Sequence, residues 1–235
     1  MHDYFSISRQ PRGLGAAFAL CGVACLTLMV NHPSERAQSF PELLKSEAQN
    51  QFVDAFIHGG FMVILGVLAV CMVLLGRHLG STKVPVVIGL MAFLTGCAVL
   101  SASMILDGLV TPALAARFAS TDNAEDLHTA KTLFTLLGTL IRILMPIGIL
   151  LQSVAMFSLS WVFLRSRGLA RGVGAFGLLA ALTWVVALTA SPAALAMHVL
   201  LGGILLQAIW YLALSTVLFR RGSAASIGVE ETPKQ

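Results

Sequence analysis

The chain is predicted to be all-α, a polytopic membrane protein formed by a bundle of six transmembrane helices. Three observations carry this. Apolar runs cover residues 13–30, 53–76, 84–106, 143–164, 173–190 and 194–219. Each approaches or exceeds the ~20 residues a helix needs to cross a ~30 Å hydrocarbon layer. The composition is 57% hydrophobic and 11% charged, which suits helices surrounded by lipid and leaves no material for a water-facing side. The runs are rich in Leu, Ala and Gly without period-2 alternation, so the backbone must satisfy itself as helices and not as a barrel. The lipid bilayer is the first partner.

Span 1 follows Arg9 and Arg12. It is long for a signal peptide and no small-x-small cleavage site follows Val30, so we expect it to stay uncleaved. Gly22-Val-Ala-Cys25 lacks the aliphatic residue that opens a lipobox. Cys21, Cys25, Cys71 and Cys97 all lie inside spans, which argues against a disulfide framework and for packing. Cys21 and Cys25 share a helix face, but no His or acid at their depth completes a soft-metal set.

Basic residues orient the spans. Arg9 and Arg12, Arg77 and Lys83, Arg165, Arg167 and Arg171, and Arg220, Arg221 and Lys234 fall on one side, against Arg36, Lys45, Arg117 and Lys131 on the other. This predicts an N-in, C-in protein, with residues 1–220 as one transmembrane domain. The expected location is a cell membrane, and specifically the bacterial inner membrane. The net charge of +4 reflects these juxtamembrane residues, which set topology and meet anionic lipid, and it gives no reason to expect nucleic acid.

Residues 107–141 form the least ordinary connection. Leu109 to Leu114 reads as an interfacial stretch. Ser120-Thr121-Asp122 reads as a helix cap, with Glu125 and Asp126 in the first turn. A helix from Asp122 to Leu164 would be ~64 Å long, so it must bend at Gly138 or Pro146, lie in the interface, or project. Arg142 stands at the outer edge of span 4, either snorkelling to headgroups or pairing with Asp107 or Asp54. Gly172-Val-Gly174-Ala-Phe-Gly177 matches the dinucleotide fingerprint in letters only. It opens span 5 behind a basic loop with no strand before it, and small residues for close helix approach explain it better. The same holds for Gly59-Gly60 and Gly202-Gly203. Gln152 and Gln207 should bond neighbouring helices. Residues 221–235 read as a disordered cytoplasmic tail.

Placing ionisable residues by depth gives one candidate site. Asp54 opens span 2 with His58 one turn below it on the same face. Asp107 ends span 3, and His198 lies ~6 Å into span 6. Four groups from three helices thus share one level near the outer surface, where ionisable residues are costly and imply function. Neutral imidazoles and carboxylates suit Zn or another divalent metal, on His58, Asp107, His198 and Asp54. Haem b would use His58 and His198 as axial ligands. Met29, Met62, Met104, Met145 and Met197 lie in the same half and with His would suit copper. Hydrogen bonding between His and Asp without any cofactor is the plain alternative. His32 and His128 are outer-loop residues that could contribute from above but read as solvated, and His2 and His78 fall on the cytoplasmic side.

The set partly resembles the zinc site of the membrane ceramidase and progestin-type receptor superfamily, with its Ser-x3-His helix, Asp on the next helix and His-x3-His helix. His58, Asp107 and His198 would match three of those positions. The resemblance implies a zinc ion, but Asp54 stands for Ser, Gly202 stands for the second His, and six spans replace seven. These few positions do not amount to membership.

Three classes of function follow. An enzyme or redox protein would carry a metal or haem. A structural or assembly subunit, bound to a membrane-protein partner, would carry none. A small transporter would need repeated halves or paired broken helices, and the chain shows neither.

Overall fold

A computed structural model describes residues 10–32, 38–190 and 197–227. Seven α-helices follow in order: α1 (Gln10–Val30), α2 (Phe40–Leu79), α3 (Val84–Ile105), α4 (Thr111–Phe118), α5 (Ala124–Leu164), α6 (Leu169–Ala190) and α7 (Met197–Ile227). Together they make six helical segments long and apolar enough to cross a membrane, α3 and α4 sharing the segment Val84–Phe118.

The six spans close into a ring. Helix α2 packs on α3, α3 on α5, α5 on α6, α6 on α7, α7 on α1, and α1 back on α2. Lipid offers no hydrophobic drive for helices to associate, so the seams depend on close backbone approach and packing. At the seam joining first and last spans, Gly15 faces the Ser215 carbonyl and Gly22 the Ala208 carbonyl. Between α3 and α5, Gly96 lies against the Gly148 carbonyl. In the Gly172 to Gly177 run, Gly174 abuts the backbone of Ser160 to Leu164 and Gly177 abuts Ser160 and Trp210, while Gly172 faces open space. The run is therefore a helix contact, as its setting implied.

One end of the ring is extended by helix. The 40 residues of α2 and 41 of α5 give rods of ~60 Å, twice the hydrocarbon thickness. Residues 40–52, expected to form a loop, are instead the first turns of α2. Ser39 caps them by accepting from the Glu42 N–H at 3.4 Å, and Glu42 accepts from the Gln38 N–H at 3.0 Å. The α5 extension is continuous with the span, and the helix persists through Pro146. Asn123 caps it, accepting from the Glu125 N–H at 3.0 Å. The two extensions and α4 share a small core of Leu44, Ala115 and Ala130, with Phe40 edge-on to Phe134 at 5.5 Å. We call this the capped end. At the plain end, Gly80 (φ 98°) and Gly168 (φ 60°) turn the chain between α2 and α3 and between α5 and α6, conformations that L side chains rarely adopt.

Span 3 continues as helix beyond Ile105. It passes through a π-helical turn, Leu106–Val110, straight into α4. Pro112 explains the wide turn, because it has no N–H for the Gly108 carbonyl and its ring would press on that carbonyl. The Thr111 N–H bonds instead to the Leu106 carbonyl, which also accepts from Thr111 Oγ1 at 2.8 Å. Helix α7 runs to Ile227, so the segment expected to be tail begins as helix. Residues 228–235 lie outside the described residues.

Candidate metal centre

Four polar side chains gather at the capped end of the ring, supplied by three segments. Asp54 and His58 sit one turn apart on α2, both buried at 6% exposure. Asp107 comes from the π-helical turn, and His32 from the chain just after α1. The ligand atoms of His32, Asp54 and His58 all lie within 4.8 Å of one another. Asp107 adjoins them through His58, its Oδ2 lying 3.3 Å from His58 Nε2.

Neighbours on both sides of the ring fix the tautomer of His58. Its Nδ1 lies 2.9 Å from the Asp54 backbone carbonyl, which can only accept, so Nδ1 carries a proton and donates. A neutral imidazole then has a bare lone pair on Nε2, and that lone pair faces a carboxylate. Two acceptors do not stand face to face at 3.3 Å without a positive centre, and either a proton or a metal ion would supply it. An imidazole anchored by its second nitrogen to a backbone carbonyl is also the usual arrangement of a metal-bound histidine.

Gly108 makes the approach possible. A Cβ at that position would overlap the His58 ring, so only glycine lets the π-helical turn and the imidazole lie together. Turns of this kind inside α-helices recur at functional sites. Here the turn places Asp107 and clears room for its partner in successive residues.

His32 corrects the sequence reading. The sequence places it in solvent, but its ring stands edge-on to His58 with centroids 5.1 Å apart. The only signal for this position in the chain is that His32 follows the end of span 1 by two residues, at the same end as His58. His128 is exposed, as expected. His198 falls in the first turn of α7, but its side chain lies outside the described residues, so its part in the site rests on sequence. Arg142 does not pair with Asp107 or Asp54: it makes no ion pair among the described residues and is largely exposed.

The cluster opens onto the interior of the ring, where all six spans line a cavity of about 900 Å³. His32, His58, Asp107 and Arg142 line it at the capped end. Met29, Phe61 and Met104 are among its apolar walls. Deeper in, Gln152 donates to the Phe93 carbonyl at 3.3 Å, and Gln207 donates to Tyr211 Oη at 2.8 Å and Gln152 Oε1 at 3.4 Å. Both glutamines thus bond across or along helices as expected.

No protein-family description, no curated protein and no solved structure matches the chain.

Proposed function

We propose that this chain is a multi-pass protein of the bacterial inner membrane, with both termini cytoplasmic, that binds a divalent metal ion, most simply zinc, at the capped and outward end of its helix ring. His58 Nε2 and Asp107 are the central ligand pair, with Asp54 and His32 completing the shell. The observation that carries the reading is the His58 ring, held through Nδ1 on the Asp54 carbonyl with Nε2 3.3 Å from a carboxylate oxygen. A charge-assisted N–H···O bond would bring the two to ~2.7–2.9 Å. Two ligands ~2.0–2.1 Å from one tetrahedral centre stand ~3.3–3.4 Å apart. A separation of 3.3 Å suits a shared ion as well as a shared proton, and the further donors His32 and Asp54 beside His58 favour the ion. Haem is less favoured, because Asp107 occupies the space beside the one free nitrogen of His58. Met29, Met104 and Met145 line the cavity, but the nitrogen and oxygen donors beside His58 suit zinc better than Cu(I).

Orientation follows from charge. Arg12, Arg77, Lys83, Arg165, Arg167, Arg171 and Arg220 all lie at the plain end, which the positive-inside rule makes cytoplasmic. Metal analysis of detergent-purified protein tests the site. About one equivalent of metal per chain is expected, lost in His58→Ala and sharply reduced in Asp107→Asn, with His78→Ala unchanged. Metal-free protein that cannot be reloaded, with His58→Ala altering only stability, would make the cluster a packing device. Reporter fusions at Asn123 and Gly168 test orientation. An exported Gly168 fusion would invert it.

A further inference from the structure

We infer that the cavity binds a linear amphiphile with an anionic head and a hydroxyl ~15 Å down its chain, a hydroxylated acyl carboxylate in chemical terms. The inference deepens the metal reading and rests on it in part, because a bound cation would share the head-group end with Arg142.

The cavity has two polar poles with apolar wall between them. At the capped end Arg142 makes no ion pair among the described residues, yet it lines the chamber beside His58 and Asp107. An unpaired guanidinium at the edge of a low-dielectric chamber favours a carboxylate or phosphate, which it can grip with two N–H groups. The second pole is the Gln207 and Tyr211 pair. Tyr211 is 2% exposed, and its hydroxyl accepts from Gln207 Nε2, which also donates to Gln152 Oε1. Both amide hydrogens of Gln207 are thereby used. Its Oε1 has no partner among the described residues, nor has the hydroxyl hydrogen of Tyr211. Polar groups left over inside a membrane protein are costly. What remains is one acceptor and one donor, side by side and facing the cavity. A carbonyl ligand would satisfy only the donor and an ammonium only the acceptor, whereas a hydroxyl satisfies both.

Helical rise sets the spacing. Arg142 and Gln152 are ten residues apart on α5, hence ~15 Å. An extended chain with C–C bonds near ~1.5 Å advances ~1.25 Å per bond, so a hydroxyl about twelve carbons from the carboxylate reaches the lower pole. The walls between, such as Met104, Ile149 and Ile204, offer only apolar contact.

The test uses the full chain in detergent, with 9,10-dibromostearate as a quencher of Trp184, which lines the cavity. The competitors are stearate, 12-hydroxystearate and octadecane-1,12-diol. We expect 12-hydroxystearate to displace the quencher about tenfold better than stearate, the worth of a buried hydrogen bond. Tyr211→Phe and, separately, Gln207→Met should each erase that preference while leaving stearate binding intact. Arg142→Gln should weaken both acids about tenfold. Absence of quenching, equal potency of the two acids, or a diol as potent as 12-hydroxystearate would each overturn the inference, equal potency meaning that water fills the lower pole. Protein that cannot be loaded with metal yet keeps the hydroxyl preference would sink the metal reading alone. Metal-loaded protein without the preference would sink this one alone.

Discussion

At the plain end, α2 turns into α3 through residues 80–83 and α5 into α6 through residues 165–168, each turn closed by a glycine at positive φ. At the capped end α2 and α5 run past the hydrocarbon thickness, α3 widens into a π-helical turn, and buried polar side chains meet. The plain end follows local rules alone: turn glycines, apolar spans and cationic flanks. The capped end departs from them at Asp107, Gly108 and His58, and departures from local consistency concentrate where a protein does something besides fold. The comparison supports the proposal that the capped end is a site and the plain end its support.

The largest effect expected follows from that division. His58→Ala removes the imidazole that touches Asp107 and lies within reach of Asp54 and His32, so bound metal should disappear, as measured by elemental analysis. Gly108→Ala should come close without deleting any ligand. Its methyl group would occupy the place of the His58 ring, and misplaced ligands typically cost ~10–100-fold in metal affinity. Gly59→Ala, one residue from His58 but facing open space, should leave affinity unchanged. Equal behaviour of the two alanines would remove the reason for the π-helical turn.

The fold was largely legible because lipid imposes a single strong rule on each span, and hydropathy reads it directly. The polar first turns of α2 escaped that reading. The signal was present in Ser39-Phe-Pro41-Glu42, a capping pattern with proline in the first turn, but a helix in water is not announced by hydropathy. Depth counting brought Asp54, His58 and Asp107 to one level because helical rise is nearly constant. It missed Gly108, whose role depends on a ring from another helix. It also missed the π-helical turn, which only Pro112 foretold. Arg142 was open to two readings because its facing partner depends on rotation about the α5 axis, which the sequence of a helix apolar on nearly all sides leaves undetermined.

A middle-sized effect belongs to the plain end, and it should be purely structural. Gly174→Ala pushes a methyl group against backbone atoms of Ser160 to Leu164. Backbone cannot rotate away, so overpacking should cost about 1–3 kcal/mol, read as a lowered midpoint in thermal unfolding. Gly172→Ala, two residues earlier in the same helix, meets nothing and should gain a few tenths to about 1 kcal/mol from helix propensity. Metal content per folded chain should be the same in both. A metal loss in Gly174→Ala would show that the two ends are coupled through α5 and that the division between site and support is too sharp.

The smallest effect tests whether the cap is scaffold or part of the site. Ser39 Oγ accepts from the Glu42 N–H at the start of α2, and Ser39→Ala removes that acceptor. Loss of an N-cap costs about 1 kcal/mol, and the cost falls on the first turns of α2, since helix ends open without the rest of the helix. Hydrogen exchange should quicken over residues 40–48, where Leu44 packs with Ala115 and Ala130. It should stay slow around His58, almost three turns beyond residue 48 and held by its bond to the Asp54 carbonyl. Asn123→Ala should do the same to the start of α5. If either cap variant also lowers metal affinity, the helical extensions position the ligands. If exchange changes only in the first turns, as expected, the site is held by the ring and the π-helical turn beneath it.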